Sequence, residues 1–141
     1  MEKKLILYPL LAMVALTFIV AVTMLRRRVA AMKANRIHPQ KVATSAQMAA
    51  LLKDSRASDN FRNLFETPVL FYVAMITIYA TGSICAPHLV FAWAYVLARY
   101  VHSYLQCTAN VVMRRFYAFL ASVVFLLCTW LMLGYQLIFV T

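Results

Sequence analysis

Residues Arg56–Tyr72 read RASDNFRNLFETPVLFY. The first half of this stretch holds Asp59, Arg62, Asn63 and Glu66, and the second half runs without a break into a long apolar segment. Asp59 and Glu66 are the last two acidic residues of the chain. A carboxylate, a guanidinium and an amide within one helical turn at the edge of an apolar run are costly to keep in lipid unless something uses them. The stretch therefore sets two questions: what the apolar runs build, and what the polar groups at their margin do.

The first question is answered by composition. Of 141 residues, 65% are hydrophobic, only 13% are charged and two are glycine. Ordinary soluble domains are roughly 45–50% apolar. A soluble chain this apolar has too little polar surface to cover itself, so lipid must be its solvent over much of its area. The length suits a single domain spanning residues 1–141.

Outward from the opening stretch, four apolar runs are predicted to cross a bilayer as helices. Leu5 to Leu25 is 21 residues without a charge, about 30 Å as a helix. It is longer than a signal-peptide core and ends in Arg26-Arg27-Arg28 rather than in a small-residue cleavage site, so it reads as a retained span. The second span is expected over 64–84, with Pro68 freeing the Leu64 carbonyl and kinking the first turn. The third covers 87–107, opening at Pro87, and the fourth covers 116–138. Between the first two spans lies a basic connector. It is broken by His38-Pro39 and followed by a short helix that Thr44 or Ser45 can cap, with Met48, Leu51 and Leu52 on one face.

Charge supplies the topology. Nine of the fourteen Lys/Arg fall between Arg26 and Arg62, and Arg114-Arg115 precede the fourth span. Basic residues flanking spans mark the cytoplasmic side, which places both termini outside, in the periplasm or lumen. The compact chain suggests a bacterial inner membrane. The net charge of +10 does not point to nucleic acid, because no recognition motif accompanies it. Three widely spaced cysteines form no pair, and the three histidines are too scattered for a local metal motif.

This topology gathers Arg62, Asn63, Glu66, His102, Gln106 and Arg115 near the cytoplasmic ends of spans two to four. Tyr95, Arg99, His102 and Gln106 follow helical spacing and share one face, to be turned away from lipid. Arg99 lies deepest and needs a partner or a wet cavity. Arg62 is set to pair with Glu66 one turn on. Two readings of the constellation stand side by side. In one it is a functional site. In the other it is helix glue, Glu66 and Arg99 or Arg115 neutralising each other and fixing register.

Two short motifs carry a family resemblance: RNLFETP at Arg62–Pro68 and ARYVHS at Ala98–Ser103, supported by Arg115 opening the fourth span. With four short spans and a basic first loop, the chain resembles the membrane-associated proteins in eicosanoid and glutathione metabolism (MAPEG). That resemblance implies an all-α integral membrane four-helix bundle assembled as a homotrimer. It also implies glutathione bound as thiol co-substrate between neighbouring subunits. Carried over by position, Arg62, Asn63 and Glu66 would hold the charged ends of the peptide. Arg99, His102 and Gln106 would line the same crevice, Arg28 would add a carboxylate contact, and Arg115 would sit near the thiol as the catalytic cation. An apolar small-molecule substrate would arrive laterally from the membrane lipids. Phe116, Phe119 and Gln106 stand where glutathione-using members often carry hydroxyls, which weakens the expectation of thiol activation.

Three functions follow as expectations. The first is a glutathione-transferase- or peroxidase-like membrane enzyme acting on an apolar electrophile. The second is a lipid-binding or scaffolding protein that keeps the fold without the chemistry, and the third is a small transporter using Arg99 and Glu66 as a polar path. The scarcity of glycine and the lack of a broken-helix repeat count against the third.

Overall fold

The structure is a computed structural model and describes residues 2–140. It is built from six α-helices: α1 Leu7–Ala34, α2 Ser45–Leu51, α3 Arg56–Asn63, α4 Thr67–Thr81, α5 Ala86–Cys107 and α6 Val112–Phe139. Short 3-10 turns at Lys3–Ile6 and Pro39–Val42 precede α1 and α2. No strand occurs among the described residues.

Three segments are long and apolar enough to cross a membrane: Lys3–Ala34, Arg56–Thr81 and Val112–Phe139. The fourth long helix, α5, has 22 residues and so about 33 Å of length. Its composition is less apolar, because Arg99, His102, Ser103 and Gln106 are interleaved with its apolar residues and buried with Tyr95. One face of α5 is therefore polar and hidden, and Val90, Leu97, Val101 and Tyr104 remain exposed on the other. Exposed apolar side chains also cover the outer faces of α1, α4 and α6, as lipid contact requires.

The helix ends follow local chemistry. Pro9 sits in the first turn of α1, where its missing N–H leaves no bond unmade. The helix runs past Leu25 and its three arginines to Ala34, so the expected end of the first span is only the end of its apolar part. It stops at Asn35, and Arg36 takes a left-handed φ of 50° before His38-Pro39. Thr44 caps α2 in a reciprocal box with Gln47. At the other end of the molecule Gly82 closes α4 with φ 71°, and a Cβ there would lie 2.8 Å from Lys3 Nζ.

The expected second span, 64–84, is corrected at its start. The chain does not kink at Pro68 but breaks: α3 ends at Asn63, Leu64–Glu66 form a turn, and α4 begins at Thr67 with Pro68 in its first turn. Proline can begin a helix but cannot donate back to the Leu64 carbonyl, so starting a new helix avoids the lost bond. The core joins these pieces through Ile6, Met13 and Leu16 of the first segment, Phe71, Met75 and Ile78 of α4, Tyr95 of α5 and Leu133 of α6. Phe71 and Tyr95 stack with ring centroids 4.4 Å apart. Antiparallel α5 and α6 bring His102 to Arg115 at one end and Cys85 to Gln136 at the other. The end holding Arg115 is called the basic end below.

Candidate functional site

At the basic end, the break after α3 leaves backbone carbonyls without intrahelical partners. Arg99 joins at one of them: the Asn63 carbonyl oxygen, which takes only a long 3.4 Å bond from the Glu66 N–H, accepts from Arg99 Nη2 at 2.9 Å. The Asn63 side chain in turn donates to Gln106 Oε1 at 3.2 Å. One turn back along α3, buried Asn60 accepts from Ser103 Oγ (3.2 Å) and donates to Cys107 Sγ (3.4 Å). Arg99, Ser103 and Cys107 recur every four residues, so they form one ridge of α5 laid against α3.

Arg99 is completely buried, yet its Nε and Nη1 have no hydrogen-bond partner. Its guanidinium carbon lies 5.7 Å from the Phe119 ring centroid, within cation–π range. No carboxylate pairs with it: among the described residues the ion pairs are Arg27–Asp54 and Arg56–Asp54 alone. No contact ion pair joins Glu66 to Arg99 or Arg115; the Glu66 carboxylate acts on the Arg99 charge only through space. The expected Arg62–Glu66 pair is also absent, because the turn at Leu64–Glu66 removes the helical spacing it needed. Glu66 is exposed and is the N-cap residue of α4, without a capping bond from its side chain.

His102 is held from α6. Its Nδ1 lies 3.0 Å from the carbonyl oxygen of Arg115. A carbonyl only accepts, so Nδ1 carries the proton, and Nε2 is a bare acceptor, buried and without a partner. The Arg115 guanidinium is steered by Asn110, whose Oδ1 accepts from Nη1 at 2.8 Å. Asn110 adopts φ 50° in the α5–α6 turn, a conformation asparagine tolerates better than most residues. Asn63, His102, Arg115, Phe116, Phe119 and Val112 line an open crevice of about 210 Å³.

The eight residues singled out in the sequence thus separate into layers. Asn63, His102 and Arg115 line the crevice, while Arg99 and Gln106 are buried behind it and connected through Asn63. Arg28 and Arg62 line a different cavity, of about 220 Å³, with Met48, Asp54 and Asp59. Glu66 lines neither cavity.

Sequence reasoning missed a second group at the same end. Asp54 binds Arg56 through both carboxylate oxygens (2.8 and 3.1 Å) and lies 3.7 Å from Arg27. Arg27 donates to the Cys107 carbonyl at 2.7 Å and Arg56 to the Thr108 carbonyl at 2.6 Å. Two cations thereby close the C-terminus of α5, where cations are favoured, and one carboxylate holds both. The Arg56 hydrogen bonds hold the Asp54 carboxyl below its ordinary value. The available signal was Asp54 two residues before Arg56, but the α5 carbonyls that give the pair its role lie about fifty positions away.

Against this geometry the comparisons are specific on one point. No curated protein and no solved structure matches the chain. The family model for MAPEG matches residues 6–135, nearly its whole length, and includes both the RNLFETP turn and the α5 ridge. The chain is an integral membrane protein belonging to the MAPEG family.

Proposed function

We propose that the protein is a thiol-dependent membrane enzyme, conjugating or reducing an apolar electrophile with glutathione as co-substrate. The observation that carries this reading is the set of unpartnered polar atoms in the crevice wall and directly behind it. Arg99 Nε and Nη1 and His102 Nε2 are buried without partners, and among the described residues no carboxylate forms an ion pair with Arg99 or Arg115. Buried cationic donors without a counter-ion suit an anionic ligand. Glutathione supplies two carboxylates and a nucleophilic sulfur. Arg115 is the group to face a negatively charged sulfur, and His102, on the same crevice, offers Nε2 as an acceptor for its proton. Asn63, fixed by Arg99 and Gln106, offers polar contacts for the peptide.

The crevice, at about 210 Å³, is smaller than the roughly 300 Å³ at which ligand pockets usually begin. A site completed by a second copy accounts for this, and the reading therefore includes four spans per chain and a homotrimer with the crevice at the seam. Arg28, Arg62 and Glu66, which do not line the crevice of their own chain, are then available to a neighbour's. The basic first loop supports a cytoplasmic location for this end, with both termini outside and a bacterial inner membrane as the setting.

A second reading is favoured by one observation: Phe116 and Phe119 occupy the crevice wall and leave no hydroxyl on it. In that reading the fold binds lipid and performs no chemistry. Purified protein in detergent separates the two. The enzyme reading expects millimolar glutathione to raise the thermal midpoint and 1-chloro-2,4-dinitrobenzene to be conjugated. Arg115→Ala should lower the conjugation rate by about 100-fold, the scale of losing one charge-stabilising donor. An unchanged midpoint together with no conjugate selects the lipid-binding reading.

A further inference from the structure

At the end remote from Arg115, the first turn of α5 assembles a thiol, an imidazole and an amide. Cys85 is the N-cap of this 22-residue helix. His88 is three positions on, so the two side chains face each other as in a Ser-x-x-Glu capping box. Cys85 makes no capping bond with its side chain. Instead its Sγ lies 3.3 Å from His88 Nδ1 and 3.5 Å from Gln136 Nε2 of α6.

His88 Nδ1 is also 3.0 Å from the Ser83 carbonyl oxygen, which assigns the ring proton to Nδ1. That N–H is shared between the carbonyl and the sulfur. The sulfur therefore receives two N–H groups and stands at the N-terminus of a long helix. His88 is fully buried with its Nε2 unpartnered, and Gln136 Oε1, on the amide that touches the sulfur, is buried and unpartnered as well. Cys85 itself is partly exposed. The other two thiols differ: Cys107 accepts from Asn60 alone, and Cys128 has no hydrogen-bond partner among the described residues.

We propose that Cys85, His88 and Gln136 form a second thiol site, which captures small apolar α,β-unsaturated carbonyl compounds by conjugate addition. The sulfur forms a bond to the β-carbon as the C=C π bond opens. The thiol proton leaves to solvent, and a proton is delivered to the α-carbon, so that no oxidant or reductant is required. Apolar reagents are favoured because Ile138 and Phe139, within a turn of Gln136, present exposed apolar surface at this end. Nothing in this site depends on glutathione or on Arg115.

The full-length protein in detergent micelles is treated with N-ethylmaleimide or trans-2-nonenal, and modification of each cysteine is timed by peptide mass spectrometry. Cys85 should react at least about tenfold faster than Cys128, the scale of one hydrogen bond to a charged group. His88→Ala should slow Cys85 by a similar factor, whereas His88→Asn, which restores an N–H donor, should retain most of the rate. Gln136→Leu should slow it several-fold, and it decides the matter alone if His88→Ala does not fold. Equal rates at Cys85 and Cys128, or a Cys85 rate unmoved by Gln136→Leu and His88→Ala, would overturn the proposal.

Discussion

Replacing Arg99 by methionine separates a ligand-binding role from helix glue. Three quantities from the site set the expected outcome. Carrying an arginine this deep costs on the order of 2.5–3.5 kcal/mol on insertion scales, and methionine avoids most of that. The substitution also removes one charge-assisted bond to the Asn63 carbonyl, worth about 1.5–3 kcal/mol, and a contact with Phe119 of about 0.5–2 kcal/mol. Gain and loss nearly cancel, because two of the three guanidinium nitrogens make no bond that could be lost. The unliganded thermal midpoint should consequently move by only a few degrees in either direction, at about 3–5 °C per kcal/mol for a chain of this size. Stabilisation by glutathione should fall by about half or more. At a ligand concentration about 100 times Kd the wild-type gain is ~2.7 kcal/mol, and a tenfold or greater loss of affinity removes half of it or more. Thermal unfolding of both proteins in the same detergent, across a glutathione titration, reads both numbers. A large fall in the unliganded midpoint with the glutathione response preserved would mean that Arg99 holds helices together and does not serve a ligand.

Two further substitutions probe the framework. Asn60→Ala strips the fully buried amide that links Ser103 to Cys107 and leaves a cavity; we expect a loss of about 2–3 kcal/mol in denaturant unfolding, with Asn60→Ser recovering little. The Asp54 clamp adds a pH dependence of known sign. The folded carboxyl is depressed by its Arg56 bonds below the ordinary 3.8, so its contribution is present above that value and is lost as pH falls through the lower, folded value. Asp54→Asn should therefore lower the midpoint modestly at pH 7, where the carboxylate's contribution is present, and flatten its further fall on acidification below about pH 4. Identical acid profiles for the two proteins would show that the clamp carries no linkage.

The sequence was most informative where one physical rule dominated. The apolar runs, the His38-Pro39 break, the Thr44 cap and the buried face of Tyr95, Arg99, His102 and Gln106 all follow from periodicity or from proline and capping chemistry. Less was legible at Pro68, because a kink and a break remove the same hydrogen bond, and only packing against Arg99 decides between them. The same holds for Glu66: its spacing from Arg62 predicts an ion pair only if the helix is continuous. Asn60, Asn110 and Asp54 were not legible as site-forming residues at all. Asn60 and Asp54 act through partners from another segment, Ser103 and the α5 carbonyls, that local sequence cannot place beside them, and Asn110 reaches Arg115, five positions on, only through the left-handed turn. Within the four polar residues of α5, helical spacing predicted burial and could not distinguish those lining the crevice from those behind it.

The interruption at Leu64–Glu66 sets a phase relation as well as a boundary. A helix advances about 100° per residue, so lengthening or shortening this turn by one residue would rotate α3 against α4. Asn60 and Asn63 would swing off α5 together, even with every side chain retained. Within the turn Leu64 is fixed by the core, whereas Phe65 and Glu66 are exposed and carry no packing that sets the phase. What this segment stores is a count of residues, and an insertion there should be more damaging than almost any replacement.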